Sequence, residues 1–527
     1  MIISHLVPAE WPESDRVRDF LLPVLLLAVM GASCGPAAVE TPAPPTAAVE
    51  ASLLEVAESS ITAEKTFESL SFLAADDMLG RDTPSPELER AAEYLADQLG
   101  ELQLEPAGDE GSFVQRWPFE RLVLDAEESR ARVEVGGETR DWRYSREYFA
   151  IPSPPVLVEG TPVYAPTAQA VTMGLPAEAA GQPLVVGLPD GLGPDFAMAI
   201  QGGMQAQVAG IILVMDEGTD EAAVHQIAQA LEGGAAGEMP LPVMGLAYEA
   251  GRDFLAAAGV DPDGAGGPGA QVLEGVRVEF SFAFDPTVDQ VPNVAGLLRG
   301  SDPALADEYV VLTAHFDHVG VGPPDATGDS IYSGADDNAS GTSAVLQVAR
   351  AFTALPEAPA RSVLFLFVSG EEKGLLGARH YAQNPTVPQE GLVANLNLDM
   401  VSRNHPDTVY GIGEEYTTIG RMAHEIVAEH PELGLVVAQD PEPEEQVFLR
   451  SDHFSFVQVG VPALMFTTWL HDDYHVPSDT SDRVDAEKAA RVARLAFLLA
   501  HRIASDPARP EWTEEGRELL EGLGGMQ

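Results

Sequence analysis

The fold is decided by the stretch Val310-Val-Leu-Thr-Ala-His315-Phe-Asp317. Its first five residues are apolar or small and carry no charge, and a histidine and an aspartate follow at once. Uninterrupted apolar runs of this length are typical of strands that are buried on both faces of a parallel sheet. The stretch therefore predicts an α/β fold in which His315 and Asp317 stand at the carboxyl end of a central strand.

Two later segments repeat this form. Ser362–Val368 is an apolar run that ends just before the adjacent pair Glu371 and Glu372, and Leu392–Leu398 ends directly before Asp399. Because the carboxyl ends of parallel strands meet at one edge of a sheet and border a cleft there, these carboxylates are expected to converge with His315.

Two more polar segments complete the pattern. They are Gly334-Ala-Asp-Asp337-Asn-Ala-Ser-Gly341 and Tyr474-His475-Val-Pro-Ser-Asp479. Histidine nitrogen and carboxylate oxygen are the donors that a catalytic Zn²⁺ ion takes. With one hydroxide, Asp337, Glu372 and Asp399 contribute four negative charges, which balance the four positive charges of two Zn²⁺ ions. The pattern predicts a site for two metals.

In residue type and order, the five segments resemble the co-catalytic zinc aminopeptidase family, which contains secreted bacterial leucyl aminopeptidases and, more distantly, glutamate carboxypeptidase II. The resemblance implies an αβα sandwich with a mixed central sheet and a cis peptide bond after Asp337. It implies that Glu371 is the general base and that Asp317 orients the ring of His315. The metal ligands implied for two Zn²⁺ ions are His315, Asp337, Glu372, Asp399 and His475.

The function implied by the resemblance is removal of N-terminal residues from peptides that have a free N-terminus. Two alternatives stay open. One is a metallocarboxypeptidase of the same fold, for which Arg450 is a candidate partner of the substrate carboxylate. The other is a receptor-like binding protein without catalysis, which lost ligands would mark, and none is lost here. The acidic run Asp440–Glu445 is expected to border the specificity pocket and to favour basic substrates.

Each motif also has an ordinary structural interpretation. Adjacent glutamates often start a helix, here Leu375–Ala382, and Asp336-Asp337-Asn338 could be a turn before the helix Ser340–Leu355. The remaining nearby histidines are interpreted as outer-shell or surface residues: His318, His453 and His471. Five segments in family order are nevertheless hard to explain in this way.

The charge of the chain restricts its partners. Its 527 residues include 29 basic and 83 acidic side chains, and the net charge is 29 − 83 = −54. A surface this acidic repels nucleic acid and anionic lipid. A chain this long is expected to form two or three domains.

The N-terminus predicts export. Phe20–Met30 is an apolar run of eleven residues, too short to span a bilayer but suited to a signal peptide. Cys34, the only cysteine, follows it closely, as in a bacterial lipoprotein signal. We therefore expect a signal over residues 1–34 and an Ala/Pro-rich tether over 35–50. The protein would be secreted, or would be a periplasmic or outer-membrane lipoprotein with possible membrane attachment through lipidated Cys34.

The rest of the chain is expected to form an interrupted peptidase domain. Residues 51–149 would be its first part and 286–505, with the metal site, its second part. Residues 150–285 alternate short apolar strands with helices and resemble the protease-associated domain that is inserted in many members of the family. Residues 506–527 are expected to form a loosely held charged tail.

Overall fold

The computed structural model describes residues 54–188, 193–232, 239–261 and 269–524. The expected signal peptide, the tether and Cys34 lie outside the described residues. Within the described ranges, no helix combines the length and the apolar character needed to cross a membrane.

A mixed sheet of nine strands forms the centre of the larger domain, in the order β1-β13-β15-β14-β16-β19-β17-β18, with β2 paired to β13. The three pairings among β15, β14, β16 and β19 are parallel, whereas β13 and β17 run antiparallel to their neighbours β15 and β19. The strands are β1 Glu105–Pro106, β2 Val114–Leu124, β13 Phe284–Leu298, β14 Tyr309–His315, β15 Ser362–Val368, β16 Leu392–Leu398, β17 Thr408–Ile412, β18 Val436–Ala438 and β19 Ala463–Thr467. All residues of β14, β15 and β16 are buried, as their apolar runs predict.

Helices cover both faces of this sheet. One face packs against five helices in the largest hydrophobic core: Ala63–Leu73, Pro86–Glu101, Gly341–Thr353, Thr418–Glu429 and Ala486–Ser505. The other face packs against two shorter helices, Leu376–Gln383 and His453–Gln458. The predicted αβα sandwich with a mixed central sheet is confirmed.

An inserted lobe with two sheets lies between β2 and β13. Its six-stranded sheet has the order β11-β7-β8-β9-β10-β5, and its four-stranded sheet has the order β4-β3-β12-β6. The strands are β3 Arg130–Val135, β4 Glu138–Asp141, β5 Tyr148–Ile151, β6 Val158–Gly160, β7 Val163–Ala165, β8 Pro183–Gly187, β9 Gly210–Val214, β10 Val243–Leu246, β11 Gln271–Val272 and β12 Val276–Ser281. Its helices are Ala168–Thr172, Pro194–Gln205, Glu221–Glu232 and Tyr248–Ala257.

The lobe begins earlier than residue 150. β3 pairs with β12, which lies near the end of the insertion, and not with the nine-stranded sheet. We therefore place the start of the inserted lobe near residue 125. Both of its ends leave the larger domain through the antiparallel pair of β2 and β13, where Leu124 is opposite Phe284.

The C-terminal segment is attached more firmly than expected. A helix runs over Glu514–Gly524, and Trp512 forms a bridge with Thr417. The indole Nε1 of Trp512 also donates a hydrogen bond to the Gly460 carbonyl at 3.3 Å. The expectation of a loosely held tail is wrong for the described residues up to 524, because this segment packs on the larger domain.

Candidate metal centre

The predicted ligands meet at the carboxyl ends of the central strands. His315 is the last residue of β14, and Asp399 directly follows β16. Glu372 stands four residues beyond β15, Asp337 lies in an irregular turn before the helix Gly341–Thr353, and His475 lies in the loop after β19. The glutamate pair does not start a helix, because the next helix begins only at residue 376. Asp336–Asn338 does form a turn before a helix, as its ordinary interpretation predicts.

One group of donors gathers around His475. Its Nε2 lies 3.0 Å from Oδ2 of Asp337 and 3.0 Å from Oε2 of Glu372. A second histidine, His318, brings Nδ1 to 2.7 Å from Oε1 of the same glutamate. We call this group the His475 set: His318, Asp337, Glu372 and His475.

A second group gathers around His315 and shares Asp337 with the first. His315 Nε2 lies 3.3 Å from Oδ1 of Asp337 and 3.3 Å from Oδ1 of Asp399. We call these three residues the His315 set. Because one carboxylate presents a different oxygen to each set, Asp337 joins the two groups of donors.

His475 Nε2 fits a metal ion better than it fits its neighbours, whereas His315 Nε2 and His318 Nδ1 each form a hydrogen bond with a carboxylate. His475 Nε2 is buried close to two carboxylate oxygens, yet it lacks the alignment of a hydrogen bond to either. Ligand atoms that converge on a common point, without pairing, are what a bound cation requires. The sets also combine imidazole with carboxylate, the mixture that Zn²⁺ accepts.

The pKa shifts within the cluster show how strongly its histidines and carboxylates interact. Burial alone would lower the pKa of His475, but the negative charges of Glu372 and Asp337 outweigh it and raise the pKa to about 10. Burial alone would raise the pKa of Glu372, but the neighbouring His475 lowers it to about 2. Glu372 and Asp337 are therefore held ionised in the buried site by the positive charge of the neighbouring histidines.

The turn that carries Asp337 is fixed by backbone contacts. The carboxylate of Asp479 accepts hydrogen bonds from the N–H groups of Asp336 and Asp337 at 3.0 to 3.1 Å. The peptide between Asp337 and Asn338 is cis, as the resemblance implies. The Asn338 side chain donates to the Leu398 carbonyl at 3.0 Å and so ties this turn to the end of β16.

Asp317 connects the first motif to the glutamate pair. Its Oδ1 lies 3.7 Å from Nδ1 of His315, the ring that it is predicted to orient. Its Oδ2 accepts a hydrogen bond from the Gly370 N–H at 2.8 Å and one from the Thr83 hydroxyl at 2.9 Å. Asp317 therefore also positions the backbone that leads into Glu371.

Glu371 belongs to neither set but forms a third group of close donor atoms with His315 and Glu372. Burial and the repulsion of neighbouring Glu372 raise the pKa of Glu371 well above its usual range, against the attraction of His315. A carboxyl group with a raised pKa can accept a proton and hold it near neutral pH, which is the property of a general base that later acts as an acid.

His318 lies closer to the predicted ligands than a surface histidine would. It is fully buried, not at the surface, and its ring stands edge-on to that of His475, with 5.4 Å between the centroids. The signal that could have found it is the spacing of His315 and His318 at the end of one buried strand. His471, by contrast, faces the outer carboxylate Asp336 at 3.2 Å, and His453 is buried away from both sets.

A cleft opens directly onto the two sets. Its wall includes Asp337, Glu371 and Asp399, and its remaining lining is mostly apolar. The apolar part consists of Met400, Val447, Met465, Trp469 and Leu470. None of the acidic residues 440–445 lines the cleft, although Glu445 lies 3.8 Å from the lining residue Arg450.

Fold and site together define a class, the αβα domain with an inserted lobe and a buried cluster of histidines and carboxylates. Residues 293–500 match Peptidase family M28. The family recognised from the five motifs is thereby confirmed, since its relatives include named aminopeptidases and zinc metalloproteases.

The sequence relatives are similar over part of their length. Aminopeptidase YwaD of Bacillus subtilis is 26% identical over 233 residues, which are 42% of this chain and 46% of that protein. A probable zinc metalloprotease of Pyricularia oryzae is 26% identical over 287 residues, or 45% of this chain and 53% of the relative. The chain thus spans about half the length of these curated relatives.

Solved structures extend the likeness of the fold to most of the chain. An aminopeptidase from Aneurinibacillus sp. strain AM-1 superposes with a TM-score of 0.58 at 20% identity, covering 86% of this chain and 96% of that one. The zinc aminopeptidase BSAP of Bacillus subtilis gives 0.59 at 16% identity, covering 85% and 97%. At these identities the likeness is one of fold.

Proposed function

We propose that this protein is a two-zinc aminopeptidase that removes the first residue of peptides with a free N-terminus. The observation that carries the proposal is the pair of donor sets, joined by Asp337 at the mouth of a cleft, with Glu371 beside them. The family match over residues 293–500 and the named aminopeptidase among the relatives support it.

The His475 set would hold one Zn²⁺ and the His315 set the other, with Asp337 between them. When bound, paired zinc ions lower the pKa of water, polarise the scissile carbonyl and orient the substrate. His315 would be kept in one ring orientation by Asp317, since an outer carboxylate of this kind fixes the tautomer of a metal-binding histidine.

Glu371 would perform the proton transfers. Its carboxylate takes a proton from the attacking water while the water oxygen bonds to the peptide carbonyl carbon. The carbon–nitrogen bond then breaks, and Glu371 returns the proton to the leaving amine nitrogen. The raised pKa of Glu371 supports this role, because the group must hold the proton between the two transfers.

The cleft favours an apolar first residue over a basic one. Its buried wall residues Met400, Met465 and Val447 offer no partner for a charged side chain. An apolar side chain gains free energy by leaving water for such a wall, whereas a charged side chain without a partner loses it. We therefore propose substrates that begin with Leu, Met or Phe.

The carboxypeptidase alternative is carried by Arg450. Its guanidinium lines the same cleft, and Glu445, at 3.8 Å, contacts it only loosely. A substrate carboxylate could pair with this group. The two functions differ in which peptide terminus must be free, and this difference makes them separable by experiment.

The decisive test uses peptides of one sequence with blocked or free termini. Zinc-loaded protein is incubated with the free peptide, an N-acetylated copy and a C-amidated copy, and the products are followed by mass spectrometry with and without chelator. An aminopeptidase trims the free and amidated peptides from the amino end and spares the acetylated one. Trimming only where the carboxyl end is free would establish the carboxypeptidase, and no trimming by zinc-loaded protein would leave the binding protein.

Export with lipidation of Cys34 belongs to the same proposal. The support is the sequence alone, an apolar run over residues 20–30 shortly before the single cysteine. Metabolic labelling with an alkyne fatty acid should mark the full-length protein and leave the Cys34→Ala variant unmarked. Equal labelling of the full-length protein and the Cys34→Ala variant would contradict lipidation at Cys34.

A further inference from the structure

The helix Glu221–Glu232 of the inserted lobe lies against the loops that carry the His475 set. We call it the docking helix. Three of its side chains, His225, Gln226 and Gln229, reach the larger domain. Because residues i and i+4 share one face of a helix, His225 and Gln229 are presented together, with Gln226 beside them.

Gln226 contacts the backbone of a metal-ligand residue directly. Its Nε2 donates a hydrogen bond to the carbonyl oxygen of His475 at 3.1 Å. His475 has a left-handed backbone with φ of 55°, a conformation that is unfavourable for a non-glycine residue unless its surroundings hold it. The Gln226 amide is one of the groups that hold it.

Gln229 contacts the second histidine-bearing segment of the same set. Its Nε2 donates to the carbonyl of Val319 at 3.2 Å, and Val319 directly follows His318. The same Nε2 lies 3.5 Å from Oδ2 of Asp82, whose other oxygen pairs with Lys373 at 2.9 Å. Lys373 directly follows Glu372 in the chain. The Gln229–Asp82–Lys373 contacts therefore connect the docking helix to the segment that carries Glu372, a member of the His475 set.

The docking helix is itself fixed within the lobe. His225 Nδ1 lies 2.7 Å from the Ser145 hydroxyl, and Tyr144 donates to Glu232 at 3.3 Å. On the other side of the helix end, Glu232 lies 3.9 Å from Arg121, a residue of the β2 strand that leads into the lobe. The two glutamines are therefore presented from a rigid element.

The two donor sets differ in which domain supplies their hydrogen bonds. Among the described residues, the hydrogen bonds that hold the His315 set come from the larger domain. Thr342 donates to the carbonyl of His315 at 2.6 Å, and Ser451 donates to Asp399 at 2.6 Å. Among the described residues, the lobe hydrogen-bonds the backbone of His475 and the backbone next to His318, and it donates no hydrogen bond to His315, Asp337 or Asp399.

We propose that Gln226 and Gln229 are positioning residues through which the inserted lobe sets the geometry, and hence the metal affinity, of the His475 set alone. The inference rests on the proposed two-zinc site. It gives the lobe a part in building the metal centre, in addition to any contact that it makes with substrate.

The test compares the wild-type protein with the double variant Gln226→Met/Gln229→Met. Methionine keeps the length of glutamine and a similar helix propensity but removes the amide donor. Gln201→Met, at an exposed position of another lobe helix, is the matched control. Zinc is removed from each protein, and the affinities of both equivalents are measured by competition with a chromogenic chelator. The thermal unfolding of the metal-free proteins is recorded beside them.

The proposal expects one zinc equivalent of the double variant to bind about tenfold more weakly, since outer contacts of metal ligands change affinity on this scale. The other equivalent, the control and the unfolding temperature should match wild type. Equal weakening of both equivalents, or no change in either, would overturn the inference while leaving the aminopeptidase intact. A wild-type protein that binds fewer than two equivalents would instead overturn the proposed two-zinc site.

Discussion

Glu371 is the residue on which catalysis should depend most while metal binding does not. Glu371→Gln keeps the shape of the side chain but removes the proton acceptor. General acid–base groups contribute on the order of 10² to 10⁴ in rate, so kcat should fall by at least about 10²-fold. Zinc content, measured on the same samples by atomic emission, should stay at the wild-type value. A variant that loses its zinc would show that Glu371 is a ligand.

His318 should contribute to zinc affinity although its sequence context suggests an outer position. His318→Ala removes the nitrogen that lies 2.7 Å from Glu372 and leaves a gap in a fully buried site. We expect zinc affinity about 10 to 100 times weaker by chelator competition, as for other partners of metal ligands. His424→Ala, at an exposed histidine paired with Glu414, is the control. Equal affinities in the two variants would contradict this role.

His453 should make stability depend on pH. It is fully buried with neither ring nitrogen hydrogen-bonded, and burial lowers its pKa from 6.5 to about 3. His453 therefore binds a proton below about pH 6.5 in the unfolded chain, but only below about pH 3 in the folded chain. Stability falls across this window by up to about 1.4 kcal/mol per pH unit.

The variant His453→Leu lacks this group, so its free energy of unfolding should fall less steeply with decreasing pH. The measurement is urea unfolding of the metal-free proteins at several pH values within that window. Parallel curves for variant and wild type would show that His453 takes up its proton in the folded state as well.

The convergence of the predicted ligands was predictable, because the sequence gives both their residue types and their order at the ends of apolar runs. A histidine or carboxylate at the end of a buried strand is seldom needed for packing. Five such segments in one chain order leave few alternatives to a shared site. The role of His318 was not predictable in the same way, because its depth depends on segments far along the chain. Residue 334, for example, has so little room that a Cβ there would lie 2.4 Å from the His318 ring.

Among the elements, the C-terminal segment makes a prediction about stability. Buried Arg361 donates hydrogen bonds to the carbonyls of Ile503 at 2.9 Å and Pro507 at 2.8 Å. A chain that ends at residue 506 loses the second acceptor and the Trp512 contacts. A buried donor left unsatisfied costs about 1 to 3 kcal/mol, so the melting temperature should drop by several degrees. A chain that lacks only residues 523–527 should melt like wild type in scanning calorimetry.

Element boundaries were predicted best where the pattern is local. The helix expected over Ser340–Leu355 runs over Gly341–Thr353, because its apolar residues recur at helical spacing. The start of the lobe was placed too late. β3 and β4 form a hairpin whose alternating pattern would suit either domain. The hairpin belongs to the lobe because β3 pairs with β12, a strand far along the chain. No local signal encodes such a partner.

At the scale of the whole molecule, the net charge of −54 should make stability depend on salt. Like charges repel in the compact state, and salt screens them. Between about 0.01 M and about 1 M NaCl the Debye length falls from about 30 Å to about 3 Å, so the melting temperature should rise by several degrees. Replacing NaCl by an uncharged osmolyte of equal osmolarity separates screening from other solute effects. A melting temperature that falls with salt would mean that attractive ion pairs dominate.

The interrupted chain has a consequence for the order of folding. The lobe is one continuous piece between β2 and β13, whereas the nine-stranded sheet needs both β1, near residue 105, and β19, which ends at Thr467. Domains generally fold as units. We expect the lobe to fold before the helices Ala63–Leu73 and Pro86–Glu101 have packed on the completed nine-stranded sheet. The docking helix would then be in place before the segments of His318 and His475 have folded, and the last loops of the metal centre would settle onto a surface that already exists.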